Sequence, residues 1–304
     1  MREHVAFVEG IALWTPSLPG WDIARAAFRG EGAGTEPPAD RPSPELLPAA
    51  ERRRASASVG LALEVAARAL AQSGRRADEL LSVFTSAHGD LAINDYLCRM
   101  LVDAPLLISP TKFHNFVHNA ASGYWGIATG CLQASTAVSA FECSFAAGLL
   151  EALTQCAAEQ RAVLLVGYDT CAIGALASTN DSRGLLGAAL VIAPQRGLAT
   201  RASLGWSLAA GANARLPLRS EAARPLADNA MADALPLFEA LAWLADSSSS
   251  TPSATALSMP LSATLALQLQ LHSFEPPGAA RQALLINDYH EPDHEPDLAW
   301  ARRD

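Results

Sequence analysis

Apolar positions along this chain repeat with two periods, and their alternation predicts a layered protein of strands and helices. His4–Ile11 reads as an opening strand, closed by Thr15–Pro16 and a Pro19–Gly20 turn. Trp21–Arg29 follows as a short amphipathic helix. Residues 29–48 (RGEGAGTEPPADRPSPELLP) are rich in Pro and Gly and predict a loop. A helical period carries from Ala49 to Ser73 and predicts one long helix. Leu81–Thr85 (LSVFT) is a compact buried strand, and a polar turn at Ser86–Asp90 ends it. Asp90 is placed to cap the next helix, and no chemistry is assigned to His88–Gly89–Asp90.

Asp90–Val102 and Thr111–Gly123 read as helices, separated by Pro105 and Pro110. A β-type run at Ala134–Val138 turns at Ser139–Phe141 and enters a helix reaching Glu159. Arg161–Val166 and Gly187–Ala193 are continuous apolar strands, the form expected in a sheet covered on both faces. The last third is thinner. Arg201–Ala209 predicts a strand, Met231–Leu244 a helix and Ser247–Pro252 a flexible link. Leu261–Leu271 alternates as an edge strand does, and Gln282–Asn287 predicts a final strand. Residues 288–304 form an acidic tail with little to pack.

Half of the 304 residues are hydrophobic and only 17% are charged, which suits a well-buried α/β core. The net charge of −9 and the lack of a basic stripe argue against nucleic acid as a partner. Arg52–Arg54 is a local exception: it is either a solvated helix start or a dock for an acidic acyl carrier protein. The five cysteines are odd in number and irregularly spaced, without a Cys-x-x-Cys pair. That pattern predicts reduced thiols rather than a disulfide framework or zinc site. The N-terminus lacks a signal-peptide apolar core, and no apolar run reaches the ~18 residues of a membrane span. A cytoplasmic protein with no membrane span, metal or cofactor is expected.

The stretch ASTAVSAFECSFAAGLLEA (residues 134–152) has the layout of a nucleophile elbow, strand to sharp turn to helix. Backbone N–H groups at such a helix start favour an anion, and a reactive elbow carries Cys or Ser there. Here the tip carries Glu142 and Cys143. Glu142 is useless as a thioester-forming nucleophile. It either stabilises the helix dipole by ~0.3–1 kcal/mol or imitates an acylated site in a subunit that no longer reacts. Cys143 is either a thiolate activated by the helix start or a small buried hydrophobe.

Four segments together resemble the β-ketoacyl synthases. HVAFVEGIALWTPSLPGWDIARAAFRGE (residues 4–31) is similar to that family's opening, and HNAASG (His118–Gly123) to its Asn-x-Ala-Ala-Gly helix. AVLLVGYDT (Ala162–Thr170) resembles its strand-Gly-Gly-Glu segment, and LLGAALVIAP (residues 185–194) a later Gly-rich strand. The family's spacing, counted back from Gly167, puts Glu142 where a synthase carries its catalytic Cys; a slip of one residue puts Cys143 there. The resemblance covers residues 4–195. It implies a thiolase-like layered αβαβα fold, two sheets between helix layers. It also implies a synthase-like N-terminal half at residues 1–200 and a shortened C-terminal half at residues 201–304.

The departures from that family shape the functional expectation. Beyond residue 195 the histidines are His272, His290 and His294, none within the family's two histidine motifs, and the sole lysine is Lys112. The pattern is similar to short synthase-like proteins of the chain-length-factor type, non-catalytic partners of synthases in polyketide, aryl polyene or fatty-acid-like biosynthesis. It implies a heterodimer with a β-ketoacyl synthase, or a homodimer, with acyl carrier protein as a further partner. Phe113, His114, Phe116, His118, Asn119 and Phe141 would line the acyl pocket or the partner interface, or serve as ordinary core. His114 and His118 share a helix face but lack a third metal ligand. His290 and His294 read as part of a solvated tail. Two alternatives stand: a Cys143-dependent acyltransferase or thioesterase with His114 or His118 as base, and a self-associating scaffold or ligand-binding protein.

Overall fold

A computed structural model describes residues 4–32, 40–179, 182–211, 216–244 and 254–273. Its strands are β1 (His4–Trp14), β2 (Leu81–Thr85), β3 (Ser135–Val138), β4 (Val163–Asp169), β5 (Leu186–Ala193), β6 (Ala202–Ala210), β7 (Ala254–Pro260) and β8 (Leu265–Ser273). Its helices are α1 (Trp21–Phe28), α2 (Ala49–Arg54), α3 (Ala57–Ser73), α4 (Leu91–Asp103), α5 (Pro110–His114), α6 (Ala120–Thr129), α7 (Ser144–Glu159) and α8 (Leu235–Trp243).

The strands join in one sheet of order β3-β2-β4-β5-β1-β6-β8-β7. Strands β2, β3 and β4 run parallel to one another, and every other pairing is antiparallel. Strands β4 and β5 are buried along their whole length, as their unbroken apolar sequences require. One face packs on α3 and α6 through Phe84, Leu164, Val166 and Val191. The other packs on α1, α7 and α8 through Val83, Leu165, Leu190 and Ile192. Phe238 of α8 ties this second layer together, meeting Trp21 and Phe145 edge to face at 5.8 and 5.9 Å.

The α/β class and its layering match the sequence, with differences that have local causes. The expected helix from Ala49 to Ser73 breaks at Ala55–Ser56, because the Ser56 hydroxyl accepts from Val59 N–H and starts α3 anew. The expected helix over Thr111–Gly123 is two helices, parted where Asn115 turns inward and donates to the Arg54 carbonyl. His118–Gly123 therefore opens a helix instead of ending one. Leu261–Leu271 is not an edge: β8 lies between β6 and a strand the alternation did not predict, β7. The two sheets implied by the resemblance are, among the described residues, one continuous sheet. The described residues beyond 200 contribute three strands to it and also form α8. Ser247–Pro252, Gln282–Asn287, the acidic tail, His290 and His294 lie outside the described residues.

Candidate functional site

Successive crossovers leave the sheet on opposite faces. The chain from β2 to β3 passes through α6 on one face, and the chain from β3 to β4 passes through α7 on the other. Adjacent parallel strands whose connections part in this way open a crevice beyond their carboxyl ends, where α/β sheets bind ligands. At that place stand Ser86–Gly89 after β2, Ser139–Cys143 after β3 and Asp169 at the end of β4. Ser86 N–H donates to the Val138 carbonyl at 3.2 Å, and Ser139 Oγ donates to the Ala87 carbonyl at 3.0 Å. The two loops are thus stitched together.

The elbow is present in the backbone. After β3, Phe141 takes φ +51°, the left-handed region that a bulky residue rarely adopts, and residues 141–143 form one 3-10 turn before α7. Ser144 holds the turn: Ala140 N–H donates to its hydroxyl at 3.0 Å, and that hydroxyl donates to the Phe141 carbonyl at 2.7 Å. Phe141 is 57% exposed, and its ring meets the His88 imidazole edge to face at 5.7 Å. Glu142 is exposed, and Cys143 is half-buried at the N-cap of α7. In the first turn of α7, Ala146 N–H donates to the Asp233 carboxylate at 3.1 Å. A carboxylate of the chain itself thus takes a donor that would otherwise face an incoming anion.

Asp169 is the buried centre of the crevice. Its carboxylate accepts from Ser86 Oγ at 2.8 Å, Ala87 N–H at 2.8 Å and His88 N–H at 3.3 Å. Burial pushes its carboxyl up to about 7, against these three hydrogen bonds, which favour the charged form. Burial also lowers the His88 imidazole, which favours its neutral form. His118 reaches the same loop, with Nε2 3.0 Å from the Ser86 carbonyl oxygen, while Tyr168 OH donates to the His118 carbonyl at 3.3 Å.

The other expected site residues are spread around this crevice. His114 stands apart, edge-on to Tyr124, in a cleft of about 540 Å³ that Leu46, Thr111 and Ala128 also line. Phe113 and Phe116 are 61% and 45% exposed and Asn119 is exposed, so none of the three belongs to the core. Lys112 lies 4.2 Å above the Tyr96 ring. Arg52 of the basic cluster donates to the Leu47 carbonyl, whereas Arg53 is exposed. Sequence reasoning assigned His88 no chemistry and passed over Asp169. A single carboxylate closing an all-apolar strand was the available signal for Asp169; His88 gave none. Among the described residues no cluster of three metal-ligating side chains occurs, and no helix is long and apolar enough to cross a membrane.

Residues 29–254 match the family described as beta-ketoacyl synthase, N-terminal domain. No curated protein matches the chain. Among solved structures, it is similar to a chain of the ketosynthase ApeO in complex with its chain length factor ApeC from Xenorhabdus doucetiae. That match has 20% identity and a TM-score of 0.63, over 88% of this chain and 99% of the other. The ishigamide ketosynthase/chain length factor gives 12% identity and a TM-score of 0.70, over 89% and 100%. The AntDE:AntF complex, a type II polyketide acyl-carrier protein with its ketosynthase, gives 13% and 0.69, over 90% and 100%. At these identities the likeness establishes a shared thiolase-like fold.

Proposed function

This chain belongs to the beta-ketoacyl synthase family through its N-terminal domain, and from that premise we propose that it is a non-catalytic, chain-length-factor-type subunit. It would pair with an active β-ketoacyl synthase in polyketide, aryl polyene or fatty-acid-like biosynthesis and shape the cavity that receives the acyl chain. The observation that carries this role is the elbow. The strained tip residue is Phe141, followed by Glu142, so neither of the two foremost side chains can form a thioester. The Asp233 carboxylate at the start of α7 and the missing histidine motifs agree with a subunit that does no condensation.

Pairing is supported by the solved relatives, which include ketosynthases in complex with chain length factors. One similar structure is a complex with an acyl carrier protein, and a carrier is the third partner in this reading. We place the boundary between a synthase-like half and a shortened half at residue 200. The two halves share one sheet, because β6 pairs directly with β1.

One experiment separates this role from the alternatives. The purified protein is incubated with acyl thioesters of coenzyme A and of carrier protein, alone and co-expressed with a synthase from its own pathway, and intact mass is measured. The expected result is no adduct on this chain, normal loading of the synthase and co-purification of the two. A stoichiometric adduct mapping to Cys143, half-buried at the N-cap of α7, would make the protein an acyl-transferring enzyme instead. Failure to bind any synthase, with self-association alone, would favour a scaffold.

A further inference from the structure

The least expected feature of this region is how firmly the loop after β2 is held. Asp169 is fully buried, and its two carboxylate oxygens accept from Ser86, Ala87 and His88 in succession. Ser86 Oγ also accepts from Gly89 N–H at 2.8 Å, which closes the loop into a tight turn. Ser139 Oγ then ties the Ala87 carbonyl to the elbow side. The His88 ring of this turn meets the Phe141 ring edge to face at 5.7 Å. A left-handed Phe has few rotamers compatible with its backbone, and the imidazole narrows that set further.

We propose that Asp169 is a positioning residue: by clamping the Ser86–His88 turn it holds the His88 ring against Phe141, and this ring pair is the gate that sets how far an acyl chain passes. The gate's occupant is an extended acyl chain, for which an aromatic ring is an apolar stop. Asp169 touches no substrate and acts only through the turn. The proposal rests on the chain-length-setting role above, but the clamp itself is testable without it.

The first measurement is the ring-current shift of the His88 imidazole protons by NMR in the chain alone. Phe141→Ala removes the neighbouring ring and supplies the unshifted reference. Asp169→Asn sets an amide N–H₂ against backbone N–H donors, so the turn should loosen and the His88 shift should move toward that reference. Ser139→Ala, which loses a single hydrogen bond, is the milder variant should Asp169→Asn fold poorly, and it should move the shift part of the way. A shift unchanged in both variants, even with a lower melting temperature, would reduce Asp169 to an ordinary core residue and overturn the proposal.

The second measurement is the product-length distribution of the co-expressed synthase. His88→Ala and Asp169→Asn should both broaden it toward longer chains, in the same direction as Phe141→Ala. If Phe141→Ala lengthens products and the other two do not, the clamp fails while the subunit's role stands. If none of the three moves the distribution but the NMR shift responds, the clamp stands and the chain-length role falls.

Discussion

Gly148 of α7 lies over Thr85 of β2 so closely that a Cβ on the glycine would sit 2.8 Å from both Cβ and Cγ2 of the threonine. The approach lets Thr85 Oγ1 donate to the Ser144 carbonyl at 2.7 Å, which fixes the start of α7 against the sheet beneath the elbow. Gly148→Ala should therefore destabilise the fold. Helix propensity alone favours Ala by ~0.8–1 kcal/mol, while overpacking a tight contact costs ~1–3 kcal/mol. The contrast is Gly123→Ala in α6, where a new Cβ meets nothing within 4 Å, so propensity acts unopposed. Urea midpoints should fall for the first variant and rise for the second; two shifts of the same sign would refute the packing argument.

Glu9 is buried in β1 and accepts from Arg75 at 2.5 and 3.0 Å, beyond the end of α3. This hydrogen bond raises the Arg75 guanidinium above its usual value. Removing the cation strands a buried carboxylate, a loss of ~3–5 kcal/mol in fully buried pairs. With the Arg75 side chain 32% exposed, the lower part of that range is expected for Arg75→Ala. Glu9→Gln in the same background should recover most of the loss, because the stranded charge is gone. If Glu9→Gln recovers nothing, packing of the arginine stem dominates instead of charge.

The raised carboxyl of Asp169 gives stability a pH dependence of unusual sign. The folded protein holds this proton up to about 7, whereas the unfolded chain releases it near 3.8. Between those values the folded state binds more protons, so this group's contribution to stability falls as pH rises and levels off above about 7. Its slope cannot exceed about 1.4 kcal/mol per pH unit. His88 opposes it: its lowered value means that stability is lost as pH falls below 6.5. The two separate in a His88→Ala background, where the stability difference between Asp169 and Asp169→Asn is followed by urea unfolding from pH 4 to 8 and carries the carboxyl alone. The difference should decline with pH and then flatten; a rising difference would mean that the three hydrogen bonds outweigh burial.

Strands whose two faces are both covered were legible from sequence, because their runs are apolar without interruption: Leu81–Thr85 is β2 to the residue, and β4 and β5 differ only at their ends. What escaped depends on contacts distant in sequence. Strand β7 reads ATALSMP and becomes a strand only through its pairing with β8. Asn115 breaks a helical period because Arg54 offers it a carbonyl 61 positions away. At the site, the strand-turn-helix outline was visible. The strain, however, falls on Phe141 and not on Glu142, and the His88–Phe141 contact depends on where two crossover loops meet. Only the folded sheet reveals it.

Strand β3 ends the sheet, and among the described residues no strand pairs with its outer side. Helix α6, which packs against β3, and the loop after it expose Ile127 and Leu132, and the end of α4 and the turn after it expose Val102, Leu106 and Leu107, each at least 73% accessible. An uncovered strand edge flanked by large apolar side chains is an aggregation hazard unless a partner covers it. The synthase contact proposed above would do so. Leu106 and Leu132 are 97% and 96% exposed, so Leu106→Asp and Leu132→Asp remove no internal packing and should leave stability within about 0.5 kcal/mol. A buried interface anchor is worth ~2 kcal/mol or more, so each variant should weaken binding to the synthase roughly thirtyfold. Titration calorimetry with the purified partner reads that loss directly, and melting curves of the chain alone check the fold. Full affinity in the double variant would place the synthase on another face of this subunit and leave the β3 edge unexplained.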